Sequence, residues 1–166
     1  MTSEKTSPRS LLAKAADGAL IVAGLALIGM AAVEGWQVFA RYVLNDSPSW
    51  TEPVALLLMS TTMMLGAAVG VRREAHFGFY IAVESAAPRL QTALRLVGRV
   101  VVASIGALLA VVGASLALDG WSYPMAGVSL PQGVVYLPVC LGGALIVVFA
   151  IERIVSPAEP KQASGE

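Results

Sequence analysis

Few side chains capable of chemistry lie within the apolar parts of this sequence. Glu34 is the one acidic residue well inside an apolar run, and an acid at membrane depth is a candidate proton or cation site. Glu34, Gln37 and Arg41 are spaced i, i+3, i+7, which places them on one side of a helix. Two hypotheses stay open: Glu34 couples ion movement, or it belongs to a polar stripe that faces another helix.

The single histidine and the single cysteine do not favour a cofactor. His76 follows Arg72 and Arg73 closely, and a membrane b-type haem normally needs two axial ligands. Contact with lipid headgroups or with a partner therefore explains His76 better. Cys140 stands alone in an apolar run, without a disulfide or metal partner. The sequence contains no phosphate-binding loop, nucleophile–base pair or metal-ligand cluster. We expect neither an enzyme nor a cofactor.

The composition indicates the bilayer as solvent. Hydrophobic residues make up 57% of the 166 residues and charged residues 13%, whereas soluble chains are about one quarter charged. The formal net charge is zero, so nothing in the sequence attracts nucleic acid.

The apolar runs predict an all-α integral membrane protein that forms one domain over residues 1–166. The predicted segments are a cytoplasmic tail (1–17), four membrane helices (18–40, 53–71, 88–118 with a cytoplasmic extension, and 133–151) and a second cytoplasmic tail (152–166). Thr51 is predicted to cap the second helix, and Pro138 to kink the fourth. With the first helix centred near Ile28, Glu34 would lie about 9 Å from the midplane, still in hydrocarbon.

The polar connection over residues 72–99 has two parts. Its first part carries Phe77, Phe79, Tyr80, Ile81 and Val83, which predicts an amphipathic segment on the membrane surface. From Pro88 onward, apolar residues recur at helical spacing.

Lys and Arg residues predict the orientation of the chain. Ten of the eleven lie in the N-terminal tail, the 72–99 connection or the C-terminal segment, and only Arg41 lies in the other two loops. By the positive-inside rule, both termini face the cytoplasm.

Small residues form stripes at helical spacing. Gly66 and Gly70 make one pair, and a longer stripe in the third helix consists of Ala103, Gly106, Ala110, Gly113 and Ala117. In lipid, such stripes let helices pack closely. Whether the longer stripe packs within the chain or against a second protein stays open, although a leftover smooth face would suit a second protein.

Ordered short motifs between residues 39 and 77 resemble the small membrane subunit of tripartite ATP-independent periplasmic (TRAP) transporters, the DctQ-type family. The motifs are Phe39-Ala40-Arg41-Tyr42-Val43-Leu44-Asn45, Ser49-Trp50-Thr51-Glu52, Leu65-Gly66-Ala67-Ala68, and Arg72-Arg73 followed by His76. The length, the four apolar runs, Leu130-Pro131 and Pro138 also fit. In this family two adjacent acids commonly follow the tryptophan, and here Pro53 replaces the second acid.

The resemblance implies an accessory scaffold subunit in the bacterial inner membrane. Its partners would be a large membrane subunit, which carries the substrate and sodium sites, and a periplasmic binding protein that delivers a solute, often a carboxylate. Arg41, Trp50, Glu52 and His76 correspond to the motif positions. The alternative hypothesis is an independent small transporter that couples protons through Glu34.

Overall fold

The computed structural model describes residues 8–73 and 88–155 of the chain. Its long elements are four α-helices: α1 (Pro8–Tyr42), α2 (Thr51–Arg73), α3 (Pro88–Asp119) and α4 (Leu137–Val155). Short 3-10 helices, Gly120–Ser122 and Gln132–Tyr136, lie between α3 and α4. The spans Leu11–Tyr42, Thr51–Arg73, Leu90–Ser122 and Gln132–Val155 are each long and apolar enough to cross a membrane.

α1 begins ten residues before the predicted membrane span. Pro8 suits a first helical turn, where its missing N–H leaves no bond unmade. The residues that follow are rich in alanine and leucine, which are strong helix formers. Ala16 and Ala19 also pack in the core. Residues 8–17 are therefore helical, so α1 extends beyond the predicted membrane span 18–40 into the predicted tail.

The ends of α2 and α4 also differ from the predictions. Trp50 accepts the first helical bond of α2, from Val54 N (3.3 Å), so Thr51 is already inside the helix. Its hydroxyl donates to the carbonyl of Pro48 (2.9 Å) instead of capping α2. Pro138 is the second residue of α4, where a proline removes no intrahelical bond, so it does not kink the helix. The predicted start of α3 at Pro88 is confirmed.

The helices pack in the order α1, α2, α4, α3, with α2 and α4 in the middle. One core joins the first three: Ala16, Ala19, Ala68, Val69, Ile146 and Phe149. α1 and α3 each pack mainly on one neighbour, and their remaining surfaces expose many large apolar side chains. Such surfaces suit lipid or another membrane protein.

The turns at one end of the bundle are well ordered. Asn45 adopts a positive φ of 54° beyond the end of α1, and Asp46 N donates to the carbonyl of Ala40 (3.1 Å). Between α3 and α4, Pro124 and Pro131 form an antiparallel bridge. Gly127, with a φ of 75°, packs so closely on Ser49 that a Cβ would lie 2.7 Å from the serine Oγ. The α1–α2 and α3–α4 connections are therefore in contact.

Candidate functional site

A hydrogen bond between α1 and α2 places Glu34 relative to α2. Thr62, in the middle of α2, donates a hydrogen bond to the carbonyl of Ala23 (3.3 Å), so these two residues lie at the same level of the bundle. Glu34 follows Ala23 by eleven residues, which is about 16 Å along a helix axis. If the membrane midplane passes through Thr62, Glu34 lies at the edge of a hydrocarbon core that extends about 15 Å to each side.

Aromatic side chains lie at the same end of the bundle as Glu34. Trp36, Tyr42, Trp50, Trp121 and Tyr123 are all exposed near the end of α1, the start of α2 or the end of α3. Trp36 also contacts Phe39, with ring centroids 5.9 Å apart. Trp and Tyr favour the membrane–water interface. This end therefore has the composition of an interfacial belt, with Glu34 at its level.

Arg41 forms no ion pair with Glu34 or Glu52. All three side chains are exposed, and none of the ion pairs among the described residues joins them. The Arg41 guanidinium donates a hydrogen bond to the hydroxyl of Ser47, at 3.5 Å. The exposed Arg41 side chain is open to lipid headgroups or to a partner subunit.

The long small-residue stripe of α3 packs within the chain. A Cβ on Gly106 would lie 2.7 Å from Cγ2 of Ile146, and one on Gly113 would lie 2.7 Å from the backbone nitrogen of Cys140. In return, a Cβ on Gly143 would lie 2.6 Å from the nitrogen of Ala110. The stripe brings the α3 and α4 backbones into contact, so Gly106, Ala110 and Gly113 are not a free surface for a second protein.

Gly66 and Gly70 of α2 are in the opposite situation. A Cβ on either glycine would meet nothing within 4 Å, so no other element of the described structure covers them. The two small-residue motifs therefore differ in their contacts. The α3 motif packs against α4, and the Gly66–Gly70 motif of α2 is not packed against another described element.

Four hydroxyl side chains inside the spans are bonded to nearby carbonyls. Thr61 donates to Leu57 O (2.8 Å), and Thr62 donates to Leu58 O (2.9 Å) besides Ala23. Ser104 and Ser115 of α3 donate to Val100 O and Val112 O. These groups serve helix structure and packing, and they do not converge on a shared site.

A cluster around Arg72 was not predicted from the sequence. The Arg72 guanidinium forms two hydrogen bonds with Glu152, at 2.9 and 3.1 Å, and lies 5.7 Å from the ring centroid of Phe149. Arg153 donates to the backbone carbonyl of Arg72 (2.7 Å from Nε), which lies in the last turn of α2, where helix carbonyls need partners from outside the helix. The cluster clamps the ends of α2 and α4 together. The sequence does show two adjacent charged residues near the end of α2 and two near the end of α4. It does not show that these two helix ends are neighbours.

The described residues do not include His76, and they contain no candidate metal site. His76 lies in residues 74–87, outside the described part of the chain, as does most of the predicted amphipathic segment. Within residues 8–73 and 88–155, no group of three His, Cys, Asp or Glu side chains could hold a metal ion.

Comparisons with known proteins agree with the resemblance found in the sequence. The model of the family described as "Tripartite ATP-independent periplasmic transporters, DctQ component" matches residues 30–159. The sialic acid TRAP transporter small permease protein SiaQ of Vibrio cholerae is 28% identical over 86 residues, 51% of this chain. The matched region spans only half (50%) of that relative. The family is one of transporter components rather than enzymes, and its model covers most of this chain. The chain therefore belongs to the DctQ component family of tripartite ATP-independent periplasmic transporters.

Proposed function

We propose that this chain is the scaffold subunit of a sodium-coupled TRAP transporter for a small organic carboxylate in the bacterial inner membrane. It works with a large membrane subunit, which carries the substrate and sodium sites, and with a periplasmic binding protein that delivers the solute. The Vibrio cholerae relative is named for sialic acid, which agrees with an acidic solute. The four helices form one domain that adds fixed surface to the large subunit.

The observation that carries this proposal is the pairing of polar groups within the spans. A transport path needs polar side chains that converge near the midplane. Among the described residues, the hydroxyls nearest the midplane, those of Thr61 and Thr62, are bonded to carbonyls of α1 and α2. A four-helix bundle whose hydroxyls near the midplane are bonded to carbonyls is better suited to support the large membrane subunit than to conduct a solute itself.

The position of Glu34 argues against the alternative of an independent proton-coupled transporter. A coupling carboxylate has to be reached alternately from both sides of the membrane, which favours a position near the midplane. Glu34 lies at the level of the interfacial tryptophans and is exposed on α1. A carboxylate there remains in contact with the outer surface.

The proposed topology has both termini in the cytoplasm, following the distribution of Lys and Arg. In a Cys140→Ser background, Ser47→Cys and Ala126→Cys should react with an impermeant thiol reagent in intact cells, while Ser85→Cys should not. Ala126 is chosen over Gly127 because Gly127 is packed against Ser49. The reverse labelling pattern would invert the topology.

Reconstitution tests the scaffold function directly. The purified chain in liposomes with a sodium or proton gradient should take up no solute from a panel of carboxylates. Adding the large membrane subunit and the binding protein should give sodium-dependent uptake, and omitting this chain should abolish it. Uptake by the isolated chain that Glu34→Gln abolishes would overturn the scaffold function in favour of the independent transporter.

A further inference from the structure

On one side of α2, residues remain exposed or half-buried along the whole helix in the described structure. Thr51, Ala55 and Val69 are buried, and the residue after each is exposed or only half-buried: Glu52, Leu56 and Gly70. Met59, Met63 and Gly66 continue the same stripe at steps of three and four residues. It ends at Gly66 and Gly70, where even a Cβ would find open space.

α1 contributes a matching stripe on the same side. Its residues Ala19, Ala26 and Ala40 are buried, and Leu20, Leu27 and Arg41, which follow them, are exposed. Two antiparallel helices are related by a two-fold axis that is normal to the plane in which they lie. The residue that follows a contact position therefore points to the same side of the pair on both helices. Together these two stripes form a continuous surface, which we call the α1–α2 face.

Two carboxylates occupy the outer end of this face at one depth. Glu34 follows Ala23 by eleven residues, and Thr51 precedes Thr62 by eleven, so the hydrogen bond between Thr62 and Ala23 places Glu34 level with Thr51 and Glu52. Both side chains are exposed, and neither is in an ion pair with a described residue. The helix axes of packed helices are about 8–10 Å apart, so one cation could interact with both carboxylates.

We propose that the α1–α2 face is the surface on which the large membrane subunit docks. A helix of that subunit packs against Gly66 and Gly70, and one of its basic side chains lies between Glu34 and Glu52. This inference rests on the proposed function and adds the location and chemistry of the interface. Close packing at small residues such as these two half-buried glycines is what associates helices in lipid. The paired acids select a cationic partner at the edge of the hydrocarbon.

A second copy of the chain fits this face poorly. A closed dimer of two chains with the same topology has its two-fold axis along the membrane normal, so outer ends meet outer ends. Glu34 and Glu52 would then face the same two acids of the other copy, and like charges at one level repel. The exposed side of α3 offers a different surface, with large apolar residues such as Ile105, Leu108 and Val111, which suits lipid.

Photo-cross-linking in the full membrane complex tests the location. A photo-reactive amino acid at position 63 should cross-link to the large subunit, and one at position 108 should not. Met63 and Leu108 are matched, since each is 63% exposed in the isolated chain. Cross-links to the large subunit from position 108 but not from 63 would overturn the proposal, and so would cross-links from 63 only to a second copy or to lipid.

Co-purification with the large subunit tests the chemistry. Gly66→Leu with Gly70→Leu, and Glu34→Gln with Glu52→Gln, should each lower recovery of the complex by about ten-fold or more, or about 1.4 kcal/mol. The matched controls are Gly18→Leu, an open glycine on the other side of α1, and Asp119→Asn, an exposed acid at the end of α3. Both controls should co-purify like the wild type.

The outcomes separate this proposal from the one on which it rests. A wild-type chain that never co-purifies with the large subunit contradicts the scaffold function itself. A wild-type chain that co-purifies, together with face variants that do so equally well, retains the scaffold function and overturns the docking face. Thermal unfolding of each purified variant in detergent should match that of the wild type. A Cβ at Gly66 or Gly70 would meet no described atom within 4 Å, and neither Glu34 nor Glu52 is in an ion pair with a described residue.

Discussion

The α3–α4 and α1–α2 pairs are both antiparallel, yet they use small residues in opposite ways. In α3–α4, Gly106, Gly113 and Gly143 bring the two backbones into contact. In α1–α2, Gly29 faces Leu58 at an ordinary contact distance, a Cβ on it lying 3.4 Å from the leucine Cδ1, and a Cβ on Gly66 or Gly70 would meet no described atom within 4 Å. The α3–α4 pair thus uses its small residues for close internal packing, whereas the α1–α2 pair leaves Gly66 and Gly70 open. A small-xxx-small motif therefore predicts close approach of a helix, but not whether that helix belongs to the same chain.

Filling the α3–α4 contact should have the largest effect. Gly106→Leu with Gly113→Leu puts side chains into space occupied by Ile146 and by the backbone at Cys140. Overpacking costs about 1–3 kcal/mol per site, so the double variant should lose about 2–6 kcal/mol of stability. The expected result is a strongly lowered Tm in detergent, or loss of monodisperse protein in size-exclusion chromatography.

The matched variant for that experiment is Gly66→Leu with Gly70→Leu, which should unfold at the wild-type temperature. An α3 variant that is as stable as this α2 variant would remove the contrast between the two pairs. If the α3 stripe faced a second protein, the α3 double variant would keep its fold and lose only that partner. The contacts of Gly106 and Gly113 with α4 predict loss of the fold itself.

The clamp that joins the two pairs should show the next largest effect. The side chains of Arg72 and Glu152 are 22% and 14% exposed, so breaking their pair should cost less than the ~3–5 kcal/mol of a fully buried pair. We expect Arg72→Ala to lower stability by about 1–3 kcal/mol. Arg72→Ala combined with Glu152→Ala should cost less than the sum of the two single changes in a double-mutant cycle.

Arg73→Ala is the control for Arg72→Ala. Arg73 and Asp17 are 4.0 Å apart, and their side chains are 56% and 71% exposed, so Arg73→Ala should change stability by less than about 1 kcal/mol. Equal losses from Arg72→Ala and Arg73→Ala would mean that the clamp adds nothing beyond a surface charge.

A smaller effect should distinguish two adjacent threonines in the α1–α2 pair. Thr62→Val removes the hydrogen bond to Ala23 on α1, whereas Thr61→Val removes only a bond to its own helix. Hydrogen bonds between membrane helices average about 0.6 kcal/mol, so Thr62→Val should destabilise by roughly that amount more than Thr61→Val. Unfolding in mixed detergent micelles can resolve the difference, and identical curves would show that α1 is held by packing alone.

The smallest effect on the isolated chain should come from Arg41. Its guanidinium is exposed and contacts Ser47 at 3.5 Å, near the limit for a hydrogen bond. Arg41→Ala should shift stability by less than about 0.5 kcal/mol, as is usual for surface changes. Adding Glu52→Ala should change nothing further. A clear loss that Glu52→Ala rescues would instead indicate an ion pair between Arg41 and Glu52.

The starts of α3 and α1 show which helix limits can be predicted from local sequence and which cannot. The start of α3 at Pro88 could be predicted because proline is favoured in a first turn and apolar residues then recur at helical spacing. The start of α1 could not, because residues 8–17 are polar enough to resemble a tail, and only their packing against α2 and α4 explains why Ala16 is buried. The proposed depth of Glu34 changes with the start of α1, since the depth of a residue depends on where the helix centre lies.

The sequence by itself indicated a bilayer environment through its composition, and four apolar helices through the length of its apolar runs. It indicated the family through short ordered motifs. The tertiary structure decided which helices are neighbours, and with that the fate of each small-residue motif. It buried Gly106 and Gly113 against α4, left Gly66 and Gly70 uncovered, and joined Arg72 to Glu152, 80 residues away. Helical periodicity shows which residues share a face of one helix. It carries no information on which helix that face meets, because every helix in a bilayer is apolar on all sides and the hydrophobic effect does not select among them.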